Sequence, residues 1–141
     1  MTQDVTAESS PALAVDIMTR PVVAASKTTT LRDAAIQMFL GGFSGMPVTE
    51  RDGTVVGVVS EFDIIKAVRA GKKPETTLVE SAMSIEVISA EVDAPLEDLV
   101  AIFERERVHR IPITAEGKLV GVVSRPDVLR WLVEPNFMTF S

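Results

Sequence analysis

The second half of this 141-residue chain repeats the first, and that duplication limits the fold more than any other feature. Met18 and Met83, Leu31 and Leu96, and Pro47 and Pro112 each stand 65 positions apart. Gly57 and Gly121, Ser60 and Ser124, and Asp63 and Asp127 each stand 64 apart. The one-residue slip falls where Glu50-Arg51-Asp52-Gly53 faces Ala115-Glu116-Gly117, a tight turn, where an insertion costs least.

Each copy carries the same signals in the same order. A helical lead-in, residues 15–18 or 79–83, precedes a brief apolar strand, 22–25 or 87–88. Leu31, Ala34, Ala35, Met38 and Phe39 then follow the spacing of a helix with one buried face, and Leu96, Leu99, Val100 and Phe103 repeat it. Thr28-Thr29-Thr30 and Asp93-Ala94-Pro95 supply the helix starts, and Gly41-Gly42 closes the first helix. Two strands follow, 46–49 with 54–59 and 111–114 with 119–123, joined by turns containing Asp52-Gly53 and Glu116-Gly117. A final helix covers 61–70 and 125–133. Each repeat is thus β-α-β-β-α, the chain is of the α+β class, and a unit of roughly 55 residues is too small to fold comfortably alone. The expected division is a flexible segment 1–12, a first repeat 13–70, a polar linker 71–77, a second repeat 78–134 and a tail 135–141.

Composition excludes several chemistries. Cysteine is absent and His109 is the single histidine, so disulfides, thiolate metal sites and multi-histidine metal sites are ruled out. A formal net charge of −6 disfavours nucleic acid, whose non-specific affinity comes from Lys and Arg. No nucleophile motif, metal cluster or Walker-type loop is present, so an enzyme is not expected, nor is a catalytic cofactor. The polar first ten residues do not read as a secretion signal, and no apolar run reaches the ~20 residues of a membrane span. A cytoplasmic protein is expected.

Asp16-Ile17-Met18-Thr19, Met46-Pro47-Val48 and Gly57-Val58-Val59-Ser60-Glu61-Phe62-Asp63 resemble the successive motifs of a cystathionine-β-synthase-type (CBS) domain. Val108-His109-Arg110-Ile111-Pro112-Ile113 and Gly121-Val122-Val123-Ser124-Arg125-Pro126-Asp127 resemble those of a second. The resemblance spans about 15–133. It implies a Bateman module: two repeats packed about a pseudo-twofold axis through their sheets, two clefts, and commonly a homodimer. It further implies regulation by an adenine nucleotide (AMP, ADP, ATP) or S-adenosylmethionine. With no second domain in the sequence, the regulated target is expected to be a separate protein.

Ser60 with Asp63 and Ser124 with Asp127 read as capping boxes, and the same helix starts suit a phosphate, while a carboxylate can accept from ribose hydroxyls. By the resemblance, the aspartates take the ribose and each pair works with strand elements of the opposite repeat. Asp127 would join Thr19, Val22, Val23, Met46 and Pro47, and Asp63 would join Val87, Ile88, His109, Arg110 and Pro112. The short apolar residues among them, Val22, Val23, Val87 and Ile88, would sandwich adenine, or are ordinary core. His109-Arg110 is a candidate phosphate contact, or a solvated basic run with Arg105 and Arg107. Arg125 follows Ser124 where Glu61 follows Ser60, so the two sites differ in charge. Gly57 and Gly121 mark either close approach of a backbone or ligand, or tight helix-on-sheet packing. Trp131 is expected in the core or a dimer interface, and the apolar tail Phe137-Met138-Thr139-Phe140 either docks or frays. The competing reading of the whole chain is a dimerisation scaffold whose clefts stay empty.

Overall fold

A computed structural model describes residues 12–20 and 22–140, with the backbone alone from 135 to 140. The segment 1–12 expected to be flexible lies, but for its last residue, outside the described residues, as do the side chains of the apolar tail. The elements are α1 (Ala14–Ile17), α2 (Leu31–Gly41), β1 (Gly45–Thr49), β2 (Val55–Ser60), α3 (Glu61–Arg69), a 3-10 turn (Val79–Ser81), β3 (Ala90–Glu91), α4 (Leu96–Arg105), β4 (Arg110–Ala115), β5 (Lys118–Ser124) and α5 (Arg125–Phe140). The last helix thus runs on through the region expected to be a tail.

The chain forms two compact units whose limits differ from those of the repeats. One, the Ser124 unit, joins the chain up to Val22 to Ile88–Glu116 and to the chain from Val120 onward. The other, the Ser60 unit, comprises Val23–Val87 with Gly117–Leu119. Each core therefore takes in the lead-in of the opposite repeat. Val79, fully buried, sits with Leu31, Met38, Val48 and Val59 in the Ser60 unit. Ala14 and Ile17 sit with Leu99, Ile111, Ile113 and Val123 in the Ser124 unit. Burying a valine side chain contributes about 1.5–3 kcal/mol, so the borrowed residue matters to the core that receives it.

Main-chain hydrogen bonds fix the borrowed segments. In the Ser60 unit, Val79 N–H donates to Thr29 O at 2.7 Å, and Ser84 and Val58 exchange N–H···O bonds at 2.9 Å each. In the Ser124 unit, Ala14 N–H donates to Ala94 O at 2.8 Å, and Thr19 and Val122 exchange bonds at 2.8 and 3.1 Å. Gly57 and Gly121 make this approach sterically feasible. A Cβ on Gly57 would lie 2.7 Å from Met83 Sδ and 2.8 Å from the Ser84 carbonyl oxygen. A Cβ on Gly121 would collide with Met18 Sδ. What presses on both glycines is a lead-in methionine, not one of the long helices.

In the Ser60 unit β1 and β2 are antiparallel, pairing Met46 with Val59 and Val48 with Gly57, with a register shift after Val48. In the Ser124 unit the order is β3-β4-β5, with β3 parallel to β4 through Ala90 and Ile113. The strands expected at 22–25 and 87–88 do not form there. Their place is taken by a single parallel bridge from Ala25 to Val48, and by the two-residue β3 at the equivalent Ala90. Proline explains the truncation. Ala25 N–H donates to Pro47 O and Thr49 N–H donates back to Ala25 O, both at 2.9 Å. The next rung towards the N-terminus would need an N–H from Pro47, and proline has none. Pro112 imposes the same limit beside β3.

Helix α2 starts at Thr30, whose side chain accepts from Asp33 N–H, and ends at Gly42 with φ 70°. Leu31, Ala34 and Met38 are buried as expected, but Phe39 is 76% exposed. Phe43 packs against that core instead, its ring pressed onto Gly41 where a Cβ would stand. Helix α4 begins at Leu96, so Pro95 stands at the N-cap, just before the first turn and not within it. Trp131 is not core: it is 41% exposed, beside exposed Leu129, Leu132 and Val133. In the first hairpin turn, Thr54 N–H donates to Asp52 Oδ1 at 3.0 Å and holds that carboxyl below the usual carboxylate range.

Gly57→Ala should destabilise the protein by about 1–3 kcal/mol in urea denaturation, as overpacking does. Gly121→Ala should cost less, because the atoms nearest its added methyl all belong to the flexible Met18 side chain while that of Gly57 also meets a carbonyl. Met18→Ala should recover part of the Gly121→Ala loss; equal, unrecovered losses at both glycines would contradict this packing.

Candidate functional site

The two Ser-x-x-Asp sequences form capping boxes at the starts of α3 and α5. Asp63 N–H donates to Ser60 Oγ at 3.1 Å and Ser60 N–H donates to Asp63 Oδ2 at 2.8 Å. Asp127 N–H donates to Ser124 Oγ at 3.2 Å and Ser124 N–H to Asp127 Oδ2 at 2.9 Å. Each box ties two backbone amides that the helix start would otherwise leave unpaired.

Around these equal frames the carboxylates differ. Asp127 is 7% exposed, one of the buried polar residues of the molecule. Besides Ser124 N–H, it accepts from the Thr19 hydroxyl, 3.2 Å from both oxygens, and from Arg130 Nη1, 3.3 Å from Oδ1. Arg130 also reaches Glu134, with Nε 3.7 Å from Oε2. Asp63 is only half-buried, and among the described residues its side chain accepts from Ser60 N–H alone. The residue equivalent to Thr19 is Ser84, whose hydroxyl turns to the main chain of Glu86. The residue equivalent to Arg130 is Lys66, whose ammonium sits 5.7 Å from the centre of the Phe62 ring.

The first amides of both helices are used in a way the sequence did not disclose. Arg125 N–H donates to His109 O at 3.3 Å, and Glu61 N–H donates to Ser44 O at 2.9 Å. The expected supply of free amides for a phosphate is therefore smaller than the helix starts suggest. At α5 the first N–H goes to His109, the second residue is Pro126 and has none, and the third goes to Ser124 Oγ. At α3 the second residue is Phe62, which keeps its N–H.

The remaining candidates divide between the units. Thr19, Val22, Ile88, His109, Arg110, Pro112, Ser124, Arg125 and Asp127 belong to the Ser124 unit, and Val23, Met46, Pro47, Ser60, Asp63 and Val87 to the Ser60 unit. Thr19, His109 and Arg125 are exposed; Val22, Val87, Ile88 and Arg110 are half-buried; Val23 is exposed. Pro47 and Pro112 are buried, and Met46, at 1% exposure, gives its side chain wholly to the core. Of the basic run, Arg105 pairs with Glu106 at 3.2 Å. The sequence reading missed a groove of about 330 Å³ in the Ser60 unit, bounded by Asp63, Lys66, Lys72 and the 3-10 turn at Ser81. The signal for it was present as Ala67 and Ala70, two small residues on one face of α3.

No group of three or more acidic or histidine side chains able to hold a metal ion occurs among the described residues. Nor is any helix among them long and apolar enough to cross a membrane.

Thr19→Val should lower stability by about 1 kcal/mol, the worth of a lost hydrogen bond to a buried carboxylate. Ser124→Ala should cost about as much through loss of the cap. Ser84→Ala, which removes only local main-chain contacts, should cost less than half of either in chemical denaturation; a larger loss would contradict the asymmetry.

Comparison with known proteins agrees with this duplicated architecture. The family model of the CBS domain matches residues 14–70 and again 79–134. Hypoxic response protein 1 of Mycobacterium tuberculosis is 28% identical over 126 residues, covering 89% of this chain and 88% of that protein. The crystal structure of that protein, which has two coordinated zinc ions, matches with a TM-score of 0.77 over 84% of this chain and 98% of that one. The CBS domain pair of protein MJ0100, in complex with 5′-methylthioadenosine and S-adenosyl-L-methionine, matches at 24% identity and a TM-score of 0.76, covering 89% of this chain and 99% of that one. CBSX2 of Arabidopsis thaliana, in complex with AMP, matches at 24% identity and a TM-score of 0.77, covering 88% and 98%. With both of its repeats matched in full, the chain belongs to the CBS domain family.

Proposed function

We propose that this CBS pair is a regulatory module that binds an adenine nucleotide, or S-adenosylmethionine, at its Ser-x-x-Asp helix starts and passes the binding event to a separate protein. The observation that carries the reading is that each of the two helix starts holds an aspartate in a capping box, Asp63 on Ser60 and Asp127 on Ser124. A carboxylate so placed is suited to accepting from the vicinal hydroxyls of a ribose. In the Ser124 unit, Arg110 and Arg125 supply positive charge near the helix start, and half-buried Val22 and Ile88 supply apolar surface for a base. In the Ser60 unit, exposed Val23 and half-buried Val87 offer the same kind of surface. Two proteins of the same fold hold adenine compounds, AMP in one and 5′-methylthioadenosine with S-adenosylmethionine in the other.

Signalling requires the ligand to favour one arrangement of the protein over another. A homodimer belongs to the same proposal. Helix α3 exposes Phe62, Ile65 and Val68, and α5 exposes Leu129, Leu132 and Val133, apolar surface that a second copy would cover.

Calorimetry with AMP, ADP, ATP and S-adenosylmethionine is the direct test. A ligand at a hundred times its Kd should raise stability by about 2.7 kcal/mol and the melting temperature with it. No heat and no thermal shift at millimolar concentrations of all four would overturn the proposal in favour of a ligand-free scaffold. Light scattering should give twice the chain mass, and Ile65→Glu with Leu129→Glu should return it to the monomer.

A further inference from the structure

We infer that the two helix starts are unequal partners for a nucleotide. The Asp63 groove is the site that accepts a phosphate-bearing ligand, and the Asp127 site is filled by the protein's own side chains. The inference rests on the proposed nucleotide binding and says which half carries it and why.

Asp127 offers about four lone-pair positions, the capacity of any carboxylate. Ser124 N–H, the Thr19 hydroxyl and the Arg130 guanidinium already occupy three of them. Two sugar hydroxyls arriving there together must displace a protein donor. The Asp63 carboxylate carries one hydrogen bond among the described residues, and Oδ1 carries none, so two ribose hydroxyls find it ready. The amides tell the same story: within the first three helical residues α5 has no N–H left over for a phosphate, while α3 retains that of Phe62.

The side chains along the two helices complete the contrast. On α3, Asp63 is followed by Lys66, Ala67 and Ala70, and these bound a groove of about 330 Å³ that also reaches Lys72. That is within the range of small-molecule sites, which begins at roughly 300 Å³. Lys66 and Lys72 form no ion pair among the described residues, so two lysines without a carboxylate partner line a groove that begins at an available carboxylate. Asp63 and the exposed Glu61 at the head of the helix balance their two charges, so the attraction for a phosphate is local to the lysines. The positions equivalent to Lys66, Ala67 and Ala70 on α5 are Arg130, Trp131 and Glu134. There the cation is bound to Asp127 and Glu134, a tryptophan stands in place of a methyl group, and a carboxylate replaces the second alanine. A vicinal diol carrying phosphate, which describes both a nucleotide and a sugar phosphate, is complementary to the first arrangement and not to the second.

The test is calorimetry on the full chain with AMP, adenosine and ribose 5-phosphate. The wild type should take up one AMP per chain in its tighter class of site. Lys66→Ala with Lys72→Ala, exposed changes that leave the fold intact by circular dichroism, should lower the AMP-to-adenosine affinity ratio about tenfold, the loss of charge-assisted contacts to phosphate. Ala67→Trp with Ala70→Glu, which copies the α5 residues onto α3, should abolish the tighter class. Ribose 5-phosphate competing as well as AMP would place all recognition in this groove; weaker competition would assign part of it to the adenine. An unchanged ratio in the lysine variant, two equal AMP sites per chain, or undiminished binding in the α5-like variant would overturn the inference while nucleotide binding stood. Absence of any binding by the wild type would overturn both.

Discussion

The paired main-chain bonds between Ser84 and Val58, and between Thr19 and Val122, stitch each lead-in to a strand of the opposite repeat. They form because the residue beside each strand partner is glycine: Gly57 and Gly121 leave only the space that Met83 and Met18 occupy. Most of the described architecture follows from this contact. Val79 reaches one core and Ala14 with Ile17 the other, and Thr19 is carried to within 3.2 Å of Asp127. The hydroxyl that fills the buried carboxylate is thus delivered by the same segment that completes the hydrophobic core. In the Ser124 unit stability and the buried carboxylate depend on one contact, and a change at Gly121 acts on both.

A second constraint is the proline in each central strand. Pro47 and Pro112 lack the donor that a longer parallel neighbour would need, so pairing stops at Ala25 and at Ala90. The chain just before those residues, including Val22, Val23, Val87 and Ile88, is left outside any ladder with its apolar side chains half-buried or exposed. Residues that would otherwise be locked in a sheet keep backbone groups available, and that gives physical content to their candidacy as a surface for a base.

Much of this was legible in the sequence because the two copies check one another. The helix starts, the hairpins, the Ser-x-x-Asp caps and the α+β class all rest on signals present twice. Three features were not legible, one because a helix end redirects the chain and two because the deciding partner lies far along it. Phe39 fits the buried stripe by spacing, but Phe43 arrives from beyond the glycines and takes the space. The apolar runs at 22–25 and 87–88 read as strands because the residue that forbids pairing lies on another segment. The difference between Asp63 and Asp127 rests on Thr19, 108 positions away from the carboxylate it meets. Local pattern sets the elements; partners from far along the chain decide what they are free to do.

The exchange of lead-ins also bears on how such a chain arises. One repeat by itself has a plug at its front and a socket in its body, and in this protein no socket holds the plug of its own repeat. Two separate half-length copies could satisfy each other by reciprocal donation, each completing its neighbour. Joining them end to end turns a meeting of two molecules into an event within one. Once fused, the halves no longer have to be identical, and substitutions such as Lys66 against Arg130 or Ala67 against Trp131 can accumulate on one side alone. Specialisation of the two halves is then a freedom that fusion confers.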